Sequence, residues 1–201
     1  MNIDFSKIGV CGVGMVGSCV LNWFTRKGEV FCFDKGKGIG SLEELNRADV
    51  IFVCVPTPYK ENSEYDLSYL EEAIANIYDG KLVIVKSTVN PGTTDYFQNK
   101  YPKKIFLFSP EFLTELSAYE DFTKPDMQIL GVPYQGYEYA SKVMLMLPPS
   151  PVMRIVSLID AEWVKKVRNA FYVLKVIFFN QMYDVVSQVG GDYETIRSIV
   201  I

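Results

Sequence analysis

The sequence contains no histidine in 201 residues. That removes Ser-His and Cys-His nucleophilic pairs, an HExxH zinc site and any histidine general base. Cysteine is scarce. Cys11, Cys19, Cys32 and Cys54 all fall in the first quarter, and none has CxxC spacing. A disulfide framework and a zinc cluster are poorly supported, no metal is expected, and a reducing interior is implied. No basic-then-apolar signal peptide opens the chain. Long apolar runs are missing too, since the most apolar stretch, 143–153, is broken by Pro148, Pro149 and Pro151. These absences lead to the expectation of a soluble, cytoplasmic protein with no membrane partner. Positive charge is in deficit: 20 Lys and Arg against 24 Asp and Glu leave a net charge of −4. Nucleic acid is therefore not expected as the main partner.

What is present is a core. Apolar residues make up 49% of the chain and charged residues 22%, a balance that favours folding over disorder. Short apolar, β-rich runs alternate with helical patterns, which reads as an α/β protein with a mostly parallel sheet. Strands are expected at 7–11, 30–33, 49–55, 82–86, 105–108, 128–132 and 152–157, and helices at 15–27, 42–47, 67–78, 93–100 and 137–145. The runs IFVCV and LVIV lack alternation, as strands covered on both faces do. Ser41 and Glu44 have capping-box spacing. The connection from Asp34 to Asp49 contains KGKGIG, which leaves room for only a stub of helix. Residues 57–63 read as an exposed loop.

From 160 to about 189 the pattern becomes one long helix, roughly 45 Å at about 1.5 Å per residue. It is apolar nearly all round, with Val164, Phe171, Leu174, Phe178 and Val185 among its large residues. Such a helix should be buried, by a second copy or by a further domain. Gly190-Gly191 stops it, another helix starts at Asp192, and the apolar ending SIVI looks like a cut. The organisation expected is an α/β domain over 1–158, then a connecting and dimerisation helix with the start of a further helix over 159–201. A homodimer through 160–189 follows from it.

Three constellations carry chemistry. The first is Gly12-Val13-Gly14-Met15-Val16-Gly17, a GxGxxG that follows a strand and opens a helix. Such a turn sets helix N-terminal N–H groups against a pyrophosphate. Gly12 permits the turn, Gly14 the approach of phosphate, and Gly17 the helix–strand packing. Asp34 closes the second strand 22 residues past Gly12, where a carboxylate accepts ribose hydroxyls. The context makes the fold a doubly wound, Rossmann-type sheet and favours NAD over NADP, with Lys35 and Lys37 close by. The second constellation is three loops at strand ends: Val55-Pro56-Thr57-Pro58, then Ser87 to Thr93, then Ser109 to Glu115. Ser, Thr and Pro are also ordinary loop residues, so spacing alone leaves their role open. The third is Glu162, Lys165 and Asn169 on the long helix. Lys165 and Asn169 stand at i, i+4 and could hold an alkoxide, while a solvated or interfacial face with a Glu–Lys pair explains the same residues.

At these residues the sequence resembles the UDP-glucose/GDP-mannose dehydrogenase family. The matching segments run in order: GVGMVG with Asp34, CVPTP, YDLSYLEEAI, KSTVNPGTT, FSPEFLTELSAYEDFTKPD and AEWVKKVRNAFYVLKVIFFNQ. The resemblance implies NAD-dependent oxidation of the primary alcohol of a nucleotide sugar to a carboxylate. It implies cofactor contacts at Gly12, Gly14, Met15, Val16, Gly17, Asp34, Lys35, Val55, Pro56, Thr57 and Thr88. Thr57 and Thr88 would line the nicotinamide side, and Glu115 with Thr88 would position a catalytic water. Glu111, with Phe112 and Leu113, would support the sugar, and Lys165 and Asn169 would stabilise the oxyanion.

Departures from the family pattern limit what is expected. The family carries a cysteine nucleophile beyond the long helix, and its second Rossmann-like domain holds the sugar nucleotide. Neither is present in these 201 residues. Asn90 stands for a usual proline, Thr114 for a basic residue, Met127 for an arginine and Gln181 for a glutamate. The segment after Asp34 is much shorter. The expectation is a cofactor half that needs a second half for the full oxidation. Alternatives are an NAD-binding module without catalysis, which sequesters or senses the dinucleotide, and a β-hydroxyacid-type dehydrogenase, which also places Lys-x-x-x-Asn on a long helix. The PEFLTE and VPTP segments count against the last.

Overall fold

A computed structural model describes residues 3–61 and 64–200. The elements are β1 (Ile8–Cys11), α1 (Met15–Thr25), β2 (Val30–Phe33), α2 (Leu42–Leu45), β3 (Val50–Val53), α3 (Ser68–Asn76), β4 (Leu82–Val85) and α4 (Thr93–Lys100). They continue with β5 (Ile105–Phe108), α5 (Ala118–Thr123), β6 (Met127–Val132), α6 (Tyr137–Met146), β7 (Val152–Ser157), α7 (Leu158–Gln188) and α8 (Tyr193–Val200). All seven expected strands form. The short α5 was not anticipated, and α7 starts two residues earlier than expected, directly from the end of β7. The last residue of the expected final helix, and positions 62 and 63 of the expected loop, lie outside the described residues.

The strands form one sheet in the order β2-β1-β3-β4-β5-β6-β7. Neighbours run parallel except β5 and β6, which meet antiparallel at Phe108 and Gly131. Every residue of β1, β3, β4 and β5 is buried. Successive side chains point to opposite faces, so Val50 and Phe52 join one core while Ile51 and Val53 join the other. This is why the runs are apolar without alternation. The sheet is thus a Rossmann-type one covered on both faces, with the long helix following it.

The order reverses at β1, which has β2 on one side and β3 on the other. Open α/β sheets bind ligands in the crevice beyond the strand ends at such a point. The connection from Asp34 holds only a turn, closed by backbone bonds between Asp34 and Ile39, and the four residues of α2. Ser41 caps α2 as its spacing predicts, accepting from the Glu44 N–H. No further strand is added there, so β2 stays at the edge.

The chain divides into two compact units, 1–165 and 166–201. In the first, α7 begins against the sheet: a Cβ on Gly131 of β6 would lie 2.7 Å from Ala161 Cβ. In the second, Gly190 at φ +75° ends α7 and Asp192 caps α8 through the Thr195 N–H and hydroxyl. The large apolar side chains there, including Phe171, Leu174 and Phe178, are exposed in the single chain. Among the described residues no helix is long and apolar enough to cross a membrane.

Candidate functional site

The glycine turn sits at the sheet's point of reversal. Gly12 has φ +86°, and a Cβ there would meet the Cys54 backbone at 2.9 Å. A Cβ on Gly17 would come within 1.8 Å of the Gly12 carbonyl oxygen, whereas one on Gly14 would meet nothing within 4 Å. Open space at Gly14 and closure at the other two is the division of labour that a pyrophosphate needs. α1 has no side-chain cap and no acidic residue in its first turn. Its first N–H groups have no intrahelical acceptors, so the helix end is shaped for an anion. The residues fit a dinucleotide, with Met15 and Val16 in that first turn.

Asp34 is tied to the same turn. Its Oδ2 accepts from the Val13 N–H at 2.7 Å and its Oδ1 from the Lys37 N–H at 2.9 Å. Lys37 Nζ donates to the Val13 carbonyl at 2.6 Å, bridging the glycine turn and the loop after β2. Lys35 pairs with Glu72 of α3 at 2.5 Å.

The loops after β3 and β4 are stitched together. Thr57 Oγ1 donates to the Thr88 carbonyl at 2.6 Å, and Ser87 Oγ donates to the Val55 carbonyl at 2.6 Å. Val55, Thr57 and Thr88 therefore come together, with Pro56 exposed between the first two. Beside them Lys86 is buried, its Nζ donating to the Ser109 carbonyl at 3.0 Å and to the Ser109 hydroxyl at 3.1 Å. Burial holds its ammonium below the usual lysine range.

Lys165 reaches the loop after β5. Its Nζ donates to the Glu111 carbonyl at 2.6 Å and carboxylate at 2.7 Å, and lies 5.5 Å from the Phe112 ring centre. The other Glu111 oxygen accepts from the Leu113 N–H at 2.8 Å. Glu111, Phe112, Leu113 and Lys165 form one group. The solvated Glu–Lys face is corrected: Glu162 and Lys165 are both buried, and each bonds a different loop. Glu162 accepts from the Gly92 and Thr94 N–H groups instead. Glu115 is exposed, and among the described residues no hydrogen bond ties it to Thr88. Asn169 is exposed and belongs to the second unit.

Sequence reasoning gave Lys86 no role and did not pair it with Ser109. The available signal was a charge set directly on an apolar strand end and opposite a hydroxyl on the next one. The thiols are all free. Burial pushes Cys11 and Cys54 up to about 12, and raises Cys19 and Cys32 as well.

Comparison with known proteins shows which family the chain resembles. The family model for the NAD binding domain of the UDP-glucose/GDP-mannose dehydrogenases matches residues 40–144. A UDP-glucose 6-dehydrogenase of Rickettsia bellii is 34% identical over 164 residues, covering 77% of this chain and 38% of that protein. A GDP-mannose 6-dehydrogenase of Pseudomonas aeruginosa is 29% identical over 76% of this chain and 39% of its own length. The chain thus spans well under half of these relatives. The structure of a UDP-glucose dehydrogenase from Pyrobaculum islandicum superposes with a TM-score of 0.85 at 26% identity, covering 100% of this chain and 57% of that one. The chain belongs to the UDP-glucose/GDP-mannose dehydrogenase family, and what it matches there is the family's NAD-binding domain.

Proposed function

We propose that the chain is the cofactor half of an NAD-dependent nucleotide-sugar 6-dehydrogenase of the UDP-glucose type, working with a cysteine-bearing second half supplied by further sequence or another chain. The observation that carries this is Asp34 fixed to the glycine turn at 2.7 Å. A carboxylate there accepts the ribose hydroxyls and repels a 2′-phosphate, so NAD should be preferred over NADP. Losing charge-assisted bonds to the ribose costs roughly 1.5–3 kcal/mol, and Asp34→Ala should weaken NAD about tenfold or more. Calorimetric titration with both dinucleotides checks this. Equal affinity for the two in the unaltered chain would remove the assignment.

Bound NAD would supply the acceptor for a hydride from the alcohol carbon. The chain's own residues then have defined tasks. Met15 and Val16 offer first-turn N–H groups to the pyrophosphate, while Val55, Pro56, Thr57 and Thr88 border the nicotinamide side. Lys35, paired with Glu72, contributes to the rim near the ribose. Lys165 is a cation aimed at the developing alkoxide, with Glu111, Phe112 and Leu113 shaping the sugar side. By the family motif, Asn169 shares the oxyanion and Glu115 orders water with Thr88. The buried Lys165–Glu111 pair supports catalysis over mere sequestration, because burying two charges is costly and a dinucleotide holder has no use for them. One observation favours the second reading, an NAD-binding module without catalysis: the four thiols are all raised, and none is poised as a nucleophile.

The same proposal includes a homodimer through α7. Phe171, Leu174 and Phe178 are 61%, 64% and 52% exposed. Covering several such side chains is worth roughly 1.5–3 kcal/mol each, and an isologous pair is the default geometry. Sedimentation at micromolar concentration should give a dimer. A clean monomer that does not aggregate would refute it.

A further inference from the structure

Glu162 is fully buried and takes no part in the roles above. Its Oε2 accepts from the Gly92 N–H at 2.6 Å. Its Oε1 accepts from the Thr94 N–H at 2.8 Å and the Thr94 hydroxyl at 2.6 Å. α4 has no side-chain cap of its own, because its N-cap is Gly92 at φ +91°. A carboxylate from α7 therefore supplies what the helix end lacks and also meets the positive end of its dipole. Burial pushes this carboxyl up, against the three donors that hold it down. A charge kept in such a place is an expensive way to cap one short helix.

The segment it holds is the one that carries Thr88. At its near end the segment is joined to the loop after β3, through Ser87 to Val55 and Thr88 to Thr57. At its far end it is joined to α7, through Glu162. One turn further along α7, Lys165 grips Glu111. The first turns of α7 thus fasten the loops after β4 and β5 together. In a doubly wound sheet these loops lie across the reversal point from the adenosine side, where the far end of a dinucleotide rests.

We propose that Glu162 is a positioning residue for the nicotinamide end of the bound dinucleotide, acting by holding the Gly92–Thr94 turn and through it the Thr88 loop. The inference rests on the cofactor reading given above. Glu162→Gln presents an amide donor where two oxygens now accept, so it cannot satisfy both Gly92 and Thr94. Thr94→Val is a milder change that removes one hydroxyl contact and keeps the side-chain shape. ADP-ribose, which lacks the nicotinamide, separates the two ends of the ligand.

The experiment titrates NAD and ADP-ribose into the full chain and both variants, with thermal melting alongside. The expected result is that the unaltered chain binds NAD more tightly than ADP-ribose. Glu162→Gln should reduce that advantage about fivefold, the worth of one net hydrogen bond, and leave ADP-ribose affinity unchanged. Thr94→Val should show a smaller loss of the same kind, and it carries the test if Glu162→Gln fails to fold. Folded variants with an unchanged advantage, or equal losses for both ligands, would overturn the inference while leaving the cofactor reading intact. Failure of the unaltered chain to bind ADP-ribose would overturn both.

Discussion

A polypeptide of these 201 residues should bind NAD and yet form no acid from UDP-glucose or any other nucleotide sugar. Hydride transfer needs the alcohol carbon held against the nicotinamide, and correct placement is worth on the order of 7–11 kcal/mol of barrier. Lys165 and Glu111 lie 2.7 Å apart, but the chain spans only 38% of the length of the UDP-glucose 6-dehydrogenase it matches. The second oxidation needs a nucleophile to hold the aldehyde. Cys11 and Cys54, pushed up to about 12 by burial, are thiols rather than thiolates at neutral pH. Cys19 and Cys32 are raised in the same direction. NADH absorbance over hours with excess protein, followed by mass analysis of the sugar, reads the outcome. Acid product from this polypeptide would refute the half-enzyme proposal and require an unrecognised nucleophile. Aldehyde alone would show that one hydride transfer survives, and Lys165→Ala should then abolish it.

The strands were legible because a doubly covered sheet demands apolar residues at every position. VIFV, LVIV and IFLF leave no other reading once turn residues bound them. The direction of β6 was not legible. Whether a strand runs with or against β5 depends on the path of the connection, and that segment folds around α5, a six-residue helix too short to show a period. Likewise the glycine-rich stretch after Asp34 showed that little helix could form, but not that it closes back on Asp34 and Val13 through Lys37.

The site divides along the same line. Residues held by local backbone, such as Gly12, Gly17 and Asp34, sit where their spacing predicts, at the turn after β1 and the end of β2. Glu162 and Lys86 could not, because their partners are distant in sequence. Glu162 bonds residues about 70 positions away, and the i, i+3 spacing to Lys165 pointed to the wrong partner. Lys86 bonds Ser109 on the neighbouring loop. Burial inverts the ordinary expectation for a charged residue, and sequence periodicity carries no term for a charge that folds inward to meet a loop.

The other large effect expected is at Gly17, where one carbon decides both fold and ligand. A Cβ there would lie 1.8 Å from the Gly12 carbonyl oxygen and 3.3 Å from Cys54 Cβ. The turn cannot retreat, since a Cβ placed on Gly12 would already meet the Cys54 backbone at 2.9 Å, and Gly12 needs φ +86°. Gly17→Val must therefore part α1 from β1 and β3. Overpacking of this kind costs about 1–3 kcal/mol, and occasionally more. If opening the turn costs the upper end of that range, NAD affinity should fall by roughly a hundredfold. Gly14→Ala is the control with the opposite balance. Its Cβ meets no protein atom within 4 Å, and its φ of −78° suits any residue. Melting temperature should stay as it was while NAD binding weakens, because the added methyl stands where the pyrophosphate approaches the helix end. Thermal melting and calorimetric titration of the two variants separate packing from ligand contact. Tight NAD binding by Gly17→Val, or unaltered binding by Gly14→Ala, would show that the dinucleotide does not lie across this turn.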